Sequence, residues 1–228
     1  MEREFKSTVA LALPFLAAVL LLDTRGLIPQ LLLGIATAAF VWLICRRFDI
    51  PTAQILVCIA VATTGEIILS LGWGLYSYRN AVIPMYVPPG HAVFYALAYA
   101  TARQPLFVRH ERIITRLTLL AGSVVAIVNV IFLNDPWGFA WWIIAAALIV
   151  ASGNQLMLSA CVIYTMLLEW AGTANGNWMW AATVPGLGLG SANPPAGVGL
   201  LYVLLDIIVV AIVGWRLSVA GNANRQPV

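Results

Sequence analysis

Residues 199–215, GLLYVLLDIIVVAIVGW, decide the fold class of this chain. Asp206 is the single charged residue in the stretch, so the helix that it predicts has no polar face to turn toward water. Similar apolar stretches recur along the sequence: 62% of the 228 residues are hydrophobic and 9% are charged. A soluble domain carries about 25% charged residues. The composition therefore excludes a soluble, disordered or nucleic-acid-binding protein and predicts an all-α polytopic membrane protein.

Turn residues and charges divide the apolar sequence into eight candidate transmembrane helices. Because each spanning helix needs about 20 residues, eight of them leave no room for an extramembrane domain. The predicted spans are Ser7–Leu22, Leu27–Cys45, Ala53–Gly72, Pro89–Ala102, Leu117–Leu133, Trp137–Ser152, Asn154–Trp170 and Gly197–Trp215.

The basic residues are divided unequally between the two ends of this predicted bundle. With the N-terminus inside, two of them, Arg25 and Arg79, fall in outer loops and ten fall on the inner side. This asymmetry predicts a multi-pass protein of the inner (plasma) membrane with both termini in the cytoplasm. The ten inner residues are Arg3, Lys6, Arg46, Arg47, Arg103, Arg109, Arg112, Arg116, Arg216 and Arg225.

Two outer loops resemble each other and indicate an internal duplication. Residues 73–88 read WGLYSYRNAVIPMYVP, and residues 171–196 read AGTANGNWMWAATVPGLGLGSANPPA. Each loop follows a span with a glutamate near its outer end, Glu66 or Glu169. We therefore expect two parallel four-helix repeats, residues 1–116 and 117–228, in one integral membrane domain. Coincidence is the alternative, because aromatic and proline-rich loops are common at membrane interfaces.

A proline pair precedes the span that follows each of these loops. The pairs are Pro88–Pro89 and Pro194–Pro195. Proline fits the first turn of a helix, where its missing N–H costs nothing. We therefore expect the pairs to begin helices, with Asn193 as the N-cap of the last one.

Ionisable side chains within predicted spans are the candidates for chemistry, because a charge in hydrocarbon is costly. Glu66, Asp206 and Glu169 are candidate catalytic residues, since a carboxyl group removed from water tends to keep its proton and can act as an acid. Each also has a structural explanation, such as hydrogen bonding to a neighbouring helix or an interfacial position.

Helical spacing places these groups on polar stripes that should face the bundle interior. Glu66 shares a predicted face with Thr63, Ser70 and Trp73. We expect Glu66, His91 and Asp206 to line one outward-opening cavity below the two aromatic loops. The candidate substrate-binding residues are His91, Tyr76, Tyr78, Tyr95, Trp178, Trp180 and Asn193.

Other chemistries lack the residues that they require. Two histidines are too few for a histidine-rich diiron centre, and they do not form a pair of haem ligands within the membrane. The three cysteines lack metal-ligand spacing. The sequence therefore predicts no cofactor and no resident metal, although one metal on the acidic residues and His91 stays an alternative.

Two stretches resemble membrane carotenoid hydratases of the bisanhydrobacterioruberin-hydratase kind. The run EIILSLGWGLYSY, with Glu66, Gly72, Tyr76 and Tyr78, is similar to that family's glutamate–glycine–aromatic signature. The run GNWMWAATVPGLGLGSANPP, with Gly176, Trp178, Trp180 and Asn193, is similar to its second aromatic loop. The resemblance implies addition of water to a C=C bond of a polyprenoid.

Three classes of function remain open from the residues alone. The first is an acid–base enzyme, such as a hydratase or lyase, that acts on an isoprenoid or other apolar lipid in the membrane. Aromatic faces could stabilise a carbocation formed by protonating a C=C bond. The second is a proton-coupled transporter, since parallel repeats and midplane carboxyl groups occur there too. The third is a structural or assembly subunit of a membrane complex.

Overall fold

The computed structural model describes residues 2–24 and 26–223, with side chains described for 3–24 and 26–214. Arg25 and Arg225, which the topology prediction uses, lie outside the described residues, and only the backbone of Arg216 is described. The elements are α1 Glu2–Leu21, α2 Leu27–Phe48, α3 Thr52–Glu66, a π-helical segment Ile67–Gly72, β1 Tyr76–Tyr78, α4 Val87–Thr101, α5 Pro105–Arg109, α6 Glu111–Leu133, α7 Pro136–Ala151, α8 Gln155–Ala174, β2 Trp178–Trp180 and α9 Gly199–Ala223.

The predicted all-α class is confirmed, and five helices of the described chain are long and apolar enough to cross a membrane. They are α1, α2, α3 with its π segment, α6 and α8. Two predicted boundaries are wrong: α1 begins at Glu2 rather than Ser7, and α6 begins at Glu111 rather than Leu117. Backbone hydrogen bonding extends these helices past their apolar residues, whereas hydropathy marks only the apolar part.

Helix α4 lies at the centre of the bundle. It packs against α2, α3 and α8. Every side chain from Ala92 to Thr101 is buried. Protein surrounds this part of the helix, so its 15 residues need not match the thickness of a membrane. This position brings His91, in the first turn of α4, to one end of the core.

The loops after α1, α3 and α8 meet at one end of the bundle. Asp23 Oδ2 accepts hydrogen bonds from the Tyr86 hydroxyl and from Asn177 Nδ2, both at 3.0 Å. The Arg79 guanidinium donates to the carbonyl oxygens of Asp23, Asn175 and Gly176. Arg79, a basic residue in a predicted outer loop, therefore joins three loops through their backbones.

The loop after α6 joins the same end through a second buried aspartate. Asp135 Oδ1 accepts from the backbone N–H of Gly138 at 2.9 Å and of Ala192 at 3.1 Å. Its Oδ2 accepts from the N–H of Ala196 at 2.8 Å. Asp135 thus caps α7 and anchors the loop that precedes α9.

Contacts at the opposite end of the bundle involve other elements. The Phe5 ring of α1 packs edge-on against Phe48 of α2 and Phe107 of α5. The Arg47 guanidinium donates to Ser7 Oγ at 3.0 Å. The start of α1, the end of α2 and α5 therefore lie together, away from the loops that Asp23 and Arg79 join.

The two aromatic loops form an antiparallel sheet. Tyr76 pairs with Trp180, Ser77 with Met179, and Tyr78 with Trp178. Side chains alternate between the faces of a strand. The four rings are accordingly buried on the bundle side, and Ser77 and Met179 are exposed.

The proline pairs differ in their roles. Pro88 and Pro89 lie in the first turn of α4, as predicted. Helix α9 begins only at Gly199, so the prediction that Pro194–Pro195 begins a helix with Asn193 as its N-cap is wrong. Asn193 Oδ1 instead accepts the backbone N–H of Trp180 at 3.0 Å. Its side chain therefore anchors β2.

Candidate functional site

A cavity of about 210 Å³ lies below the sheet, with walls from α1, α3, α4, α8 and α9. Leucine, valine and isoleucine side chains make up much of its lining. The predicted site residues that line it are Glu66, Tyr76, Tyr78, His91, Glu169, Trp178 and Trp180. The fold thus brings seven candidates from both halves of the sequence to one mainly apolar cavity.

Glu66 is held by the tyrosines of its own loop. Its Oε2 accepts hydrogen bonds from the hydroxyls of Tyr76 at 2.9 Å and Tyr78 at 2.7 Å. Glu66 is the last residue of α3, where the helix continues as the π segment. Ser70 Oγ donates to the Tyr76 carbonyl at 3.1 Å, which fixes β1 against this segment. The carboxyl group is therefore oriented by backbone and side chains together.

His91 faces the second oxygen of Glu66. Its Nε2 lies 3.5 Å from Glu66 Oε1. Its Nδ1 lies 2.9 Å from the carbonyl of Val87, one turn earlier in α4, and donates to it. The imidazole stacks on the Tyr202 ring with centroids 4.9 Å apart. With Nδ1–H engaged, Nε2 is the atom that can exchange a proton with Glu66.

Glu169 repeats this arrangement with indoles in place of phenols. Its Oε2 accepts from Trp178 Nε1 at 2.8 Å and Trp180 Nε1 at 3.0 Å. Its Oε1 takes no part in these two bonds. Both glutamates thus use one oxygen to bind the aromatic pair of the strand that follows them.

Burial keeps the tyrosines of β1 protonated. Desolvation raises the pKa of the Tyr78 hydroxyl well above its usual value, and the Glu66 carboxyl adds to the rise. The same two causes raise the pKa of Tyr76. Both phenols therefore remain hydrogen-bond donors to Glu66 at physiological pH.

Tyr202 is a cavity residue that the sequence analysis did not assign to the site. It lies on α9 and lines the cavity beside His91. Its i, i+4 spacing to Asp206 is visible in the sequence, but spacing alone does not tell which of the two faces a cavity. The hydroxyl of Tyr202 is not engaged by another described side chain.

The prediction that Asp206 lines the same cavity as Glu66 is wrong. Asp206 is 2% exposed and lies deeper in the bundle, near Cys161. Its Oδ2 has no hydrogen-bond partner among the described residues. Leu205 and Ile208, on either side of Asp206 in α9, do line the cavity, so the face of α9 that Asp206 occupies, and not its height along the helix, keeps it out of the lining.

Two other candidates lie outside the cavity lining. The Tyr95 hydroxyl donates to Gln54 Oε1 at 3.1 Å, and Asn193 anchors β2. The predicted stripe on α3 also breaks up: Thr63 donates to the carbonyl of Ile59 in its own helix, and Trp73 Nε1 donates to the Pro185 carbonyl. The π segment changes the helical register after Glu66, so residues further along no longer share its face.

Asp23 and Asp135 are the buried acids that the sequence analysis missed. They are 1% and 0% exposed. An aspartate just after an apolar run looks like an ordinary interfacial charge. Their shared place, each following the first helix of a predicted repeat, is the signal that a comparison of the two halves could have used.

The described residues contain no group of three or more His, Cys, Asp or Glu side chains that could hold a metal ion. The site therefore offers proton donors and acceptors beside an apolar space. Comparisons with known proteins give no match: no protein-family model, no curated protein and no solved structure is similar to this chain. The likeness to carotenoid hydratases stays a prediction.

Proposed function

We propose that the chain crosses the inner membrane eight times, with both termini in the cytoplasm. The loops after α1, α3, α6 and α8, all predicted as outer, are hydrogen-bonded to one another at one end of the bundle. The start of α1, the end of α2 and α5 meet at the other end, where most of the basic residues lie. This separation of the loops and charges supports the proposed topology.

We further propose that residues 1–116 and 117–228 are repeats related by a twofold axis along the membrane normal. Helix α3 packs against α4 and α9, and α8 packs against the same two helices. β1 and β2 pair antiparallel about Ser77 and Met179, as equivalent strands on a twofold axis must. The matching roles of Glu66 and Glu169 support the same relation.

The function that the cavity supports best is acid–base chemistry on an isoprenoid or other apolar lipid. One observation carries this proposal: the Glu66 carboxyl group, oriented by two phenols, faces His91 Nε2 at 3.5 Å inside a mainly apolar cavity. Glu66 uses one oxygen to hold the two phenols and leaves the other toward an imidazole nitrogen, a type of group that serves in general acid–base catalysis.

A hydration would use the two glutamates in opposite roles. Glu66 would give a proton to a C=C bond, and the aromatic rings around the cavity would stabilise the cation that forms. Water would then add to the cation, and Glu169 Oε1 would take the proton that this water loses. Net consumption is one alkene and one water, the product is one alcohol, and proton exchange with solvent restores both acids.

The experiment has two parts. Lipids extracted from gently purified full-length protein should contain an apolar compound at a fixed ratio to protein, as measured by mass spectrometry. That compound, incubated with the protein in H₂¹⁸O, should gain the label if water adds to it. Unlabelled substrate after long incubation with folded protein would contradict the proposed hydration.

A proton-coupled carrier is the second candidate, and Asp206 favours it. This acid is buried in the core, one helical turn from Tyr202 in the cavity, and one of its oxygens has no hydrogen-bond partner in the described part of the chain. Intramembrane acids in such positions carry protons in transporters. Uptake of the co-purified compound into proteoliposomes, driven by a proton gradient and abolished by Asp206→Asn, would favour the carrier over the enzyme.

A further inference from the structure

We infer that the ligand of this cavity is a lipid alcohol, or another lipid with an uncharged hydrogen-bond donor at its head, and that it enters sideways from the bilayer. This inference rests on the proposed function for the existence of a ligand. It adds the chemical class of the head group and the route of entry, which acid–base chemistry alone does not define.

The charge of the cavity excludes an anionic head group. Two carboxyl groups line it, and the part of its lining that the structure describes includes no lysine or arginine. His91, its one basic side chain, already faces Glu66. A phosphate or carboxylate brought into this apolar space would be buried without a lysine or arginine among the described lining residues to compensate its charge, and such a burial is costly.

The hydrogen-bond donors of the cavity are already in use. Tyr86 donates to Asp23, and His91 Nδ1 to the Val87 carbonyl. Among the described lining residues, the Tyr202 hydroxyl is the side-chain donor that has no hydrogen-bond acceptor. The other donors point at carboxyl oxygens and belong to Tyr76, Tyr78, Trp178 and Trp180.

The free positions of the cavity are acceptors. Glu169 Oε1 is not bound by the indoles, and Glu66 Oε1 faces only the imidazole nitrogen. A ligand head group that donates a hydrogen bond matches these oxygens, and one that only accepts does not. A hydroxyl can also accept a bond from Tyr202, so an alcohol satisfies both kinds of group.

The route of entry follows from the exposed residues that line the cavity. Leu204 and Ile208 of α9 are 37% and 40% exposed, and both also line the cavity. Helix α1 contributes Leu16 to the same wall. It packs against α2 and α4, whereas α9 packs against α3, α7 and α8. The cavity thus reaches the apolar flank of the bundle between α1 and α9, where only lipid tails would be neighbours.

The test of ligand class uses two probes with the same chain, geranylgeraniol and geranylgeranyl phosphate. Each is titrated against full-length protein in phosphatidylcholine nanodiscs and detected by native mass spectrometry. We expect the alcohol to bind at least tenfold more tightly than the phosphate. Equal or tighter binding of the phosphate, or no binding of the alcohol, overturns the inference.

Two glycines offer a way to fill the cavity without disturbing its walls. Gly65 and Gly90 line the cavity, and a Cβ at either position meets no atom within 4 Å. Gly65→Leu and Gly90→Leu should therefore fold normally and lose at least tenfold in geranylgeraniol affinity. Gly153→Leu, at a position that is equally open but outside the cavity, is the matched control. Unchanged affinity in both cavity variants overturns the assignment of the ligand to this cavity.

A spin label tests the route of entry. Leu204→Cys is labelled in a Cys45→Ser background, since Cys58 and Cys161 are fully buried. A mouth that opens to lipid gives high accessibility to oxygen and low accessibility to an aqueous nickel complex. The reverse pattern overturns lateral entry. Selective binding of the alcohol without any turnover would refute the proposed chemistry and leave this inference standing.

Discussion

Replacement of Glu66 by glutamine tests the proposed acid most directly. Glutamine keeps the length of the side chain, and its carbonyl oxygen can still accept bonds from Tyr76 and Tyr78. Its amide can donate to His91 Nε2, which lies 3.5 Å from the present oxygen. The variant therefore keeps the contacts of Glu66 and removes only the proton that it can transfer.

The cost in stability can be worked from these contacts. A hydrogen bond to a charged group contributes about 1.5–3 kcal/mol and a neutral one about 0.5–1.5 kcal/mol. Glu66→Gln converts at most two bonds from charged to neutral, so its cost is at most about 3 kcal/mol. Glu66→Leu leaves two buried phenols without an acceptor, at about 1–3 kcal/mol each and about 2–6 kcal/mol in total.

Thermal unfolding of the two variants beside the wild type measures this difference. We expect the midpoint to fall slightly for Glu66→Gln and considerably for Glu66→Leu. Turnover of the co-purified lipid, measured by ¹⁸O incorporation, should be lost in the folded Glu66→Gln protein. Glu169→Gln should lower the midpoint equally slightly, because Trp178 and Trp180 keep an acceptor there, and it should also lose turnover, because Glu169 is the proposed base.

The result that refutes the reasoning is a folded Glu66→Gln protein with wild-type turnover. Glu66 would then hold the tyrosines of β1 in place and transfer no proton. A loss of folding in Glu66→Gln as severe as in Glu66→Leu would contradict the hydrogen-bond argument itself.

Three further predictions test the fold around the site. Gly172→Ala should displace Trp178 and lower thermal stability, because a Cβ at this position would lie 2.0 Å from the indole ring. A thermal stability equal to that of the wild type would show that the ring can move freely. Asp135→Leu should destabilise the protein by about 3 kcal/mol or more, because it leaves three backbone N–H groups without their acceptor. Urea or thermal denaturation measures this loss of stability. Reporter fusions after Arg112 and at the C-terminus should both report the cytoplasm, and a periplasmic C-terminus would contradict eight spans.

The proximity of two site residues can be predicted from the sequence where they are close together in the chain. Glu66 and the tyrosines of β1 belong to one continuous segment, so the loop brings them together directly. The π segment, which turns Trp73 away from Glu66, has no signature in hydropathy or spacing. Whether Asp206 or its neighbours on α9 face the cavity depends on how α9 packs against α3 and α8, which side-chain packing decides.

The sequence by itself determined the helical class, the apolar segments and the pairing of each glutamate with an aromatic loop, because these follow from composition and local spacing. Only the tertiary structure decided which groups share a cavity. The antiparallel pairing of β1 with β2 brings the two halves together. His91 of α4 contacts Glu66 because α4 packs against α3, and it contacts Tyr202 because α9 lies nearby. Such contacts join residues far apart in the chain. They depend on the fit of whole helix surfaces, which a one-dimensional pattern does not contain.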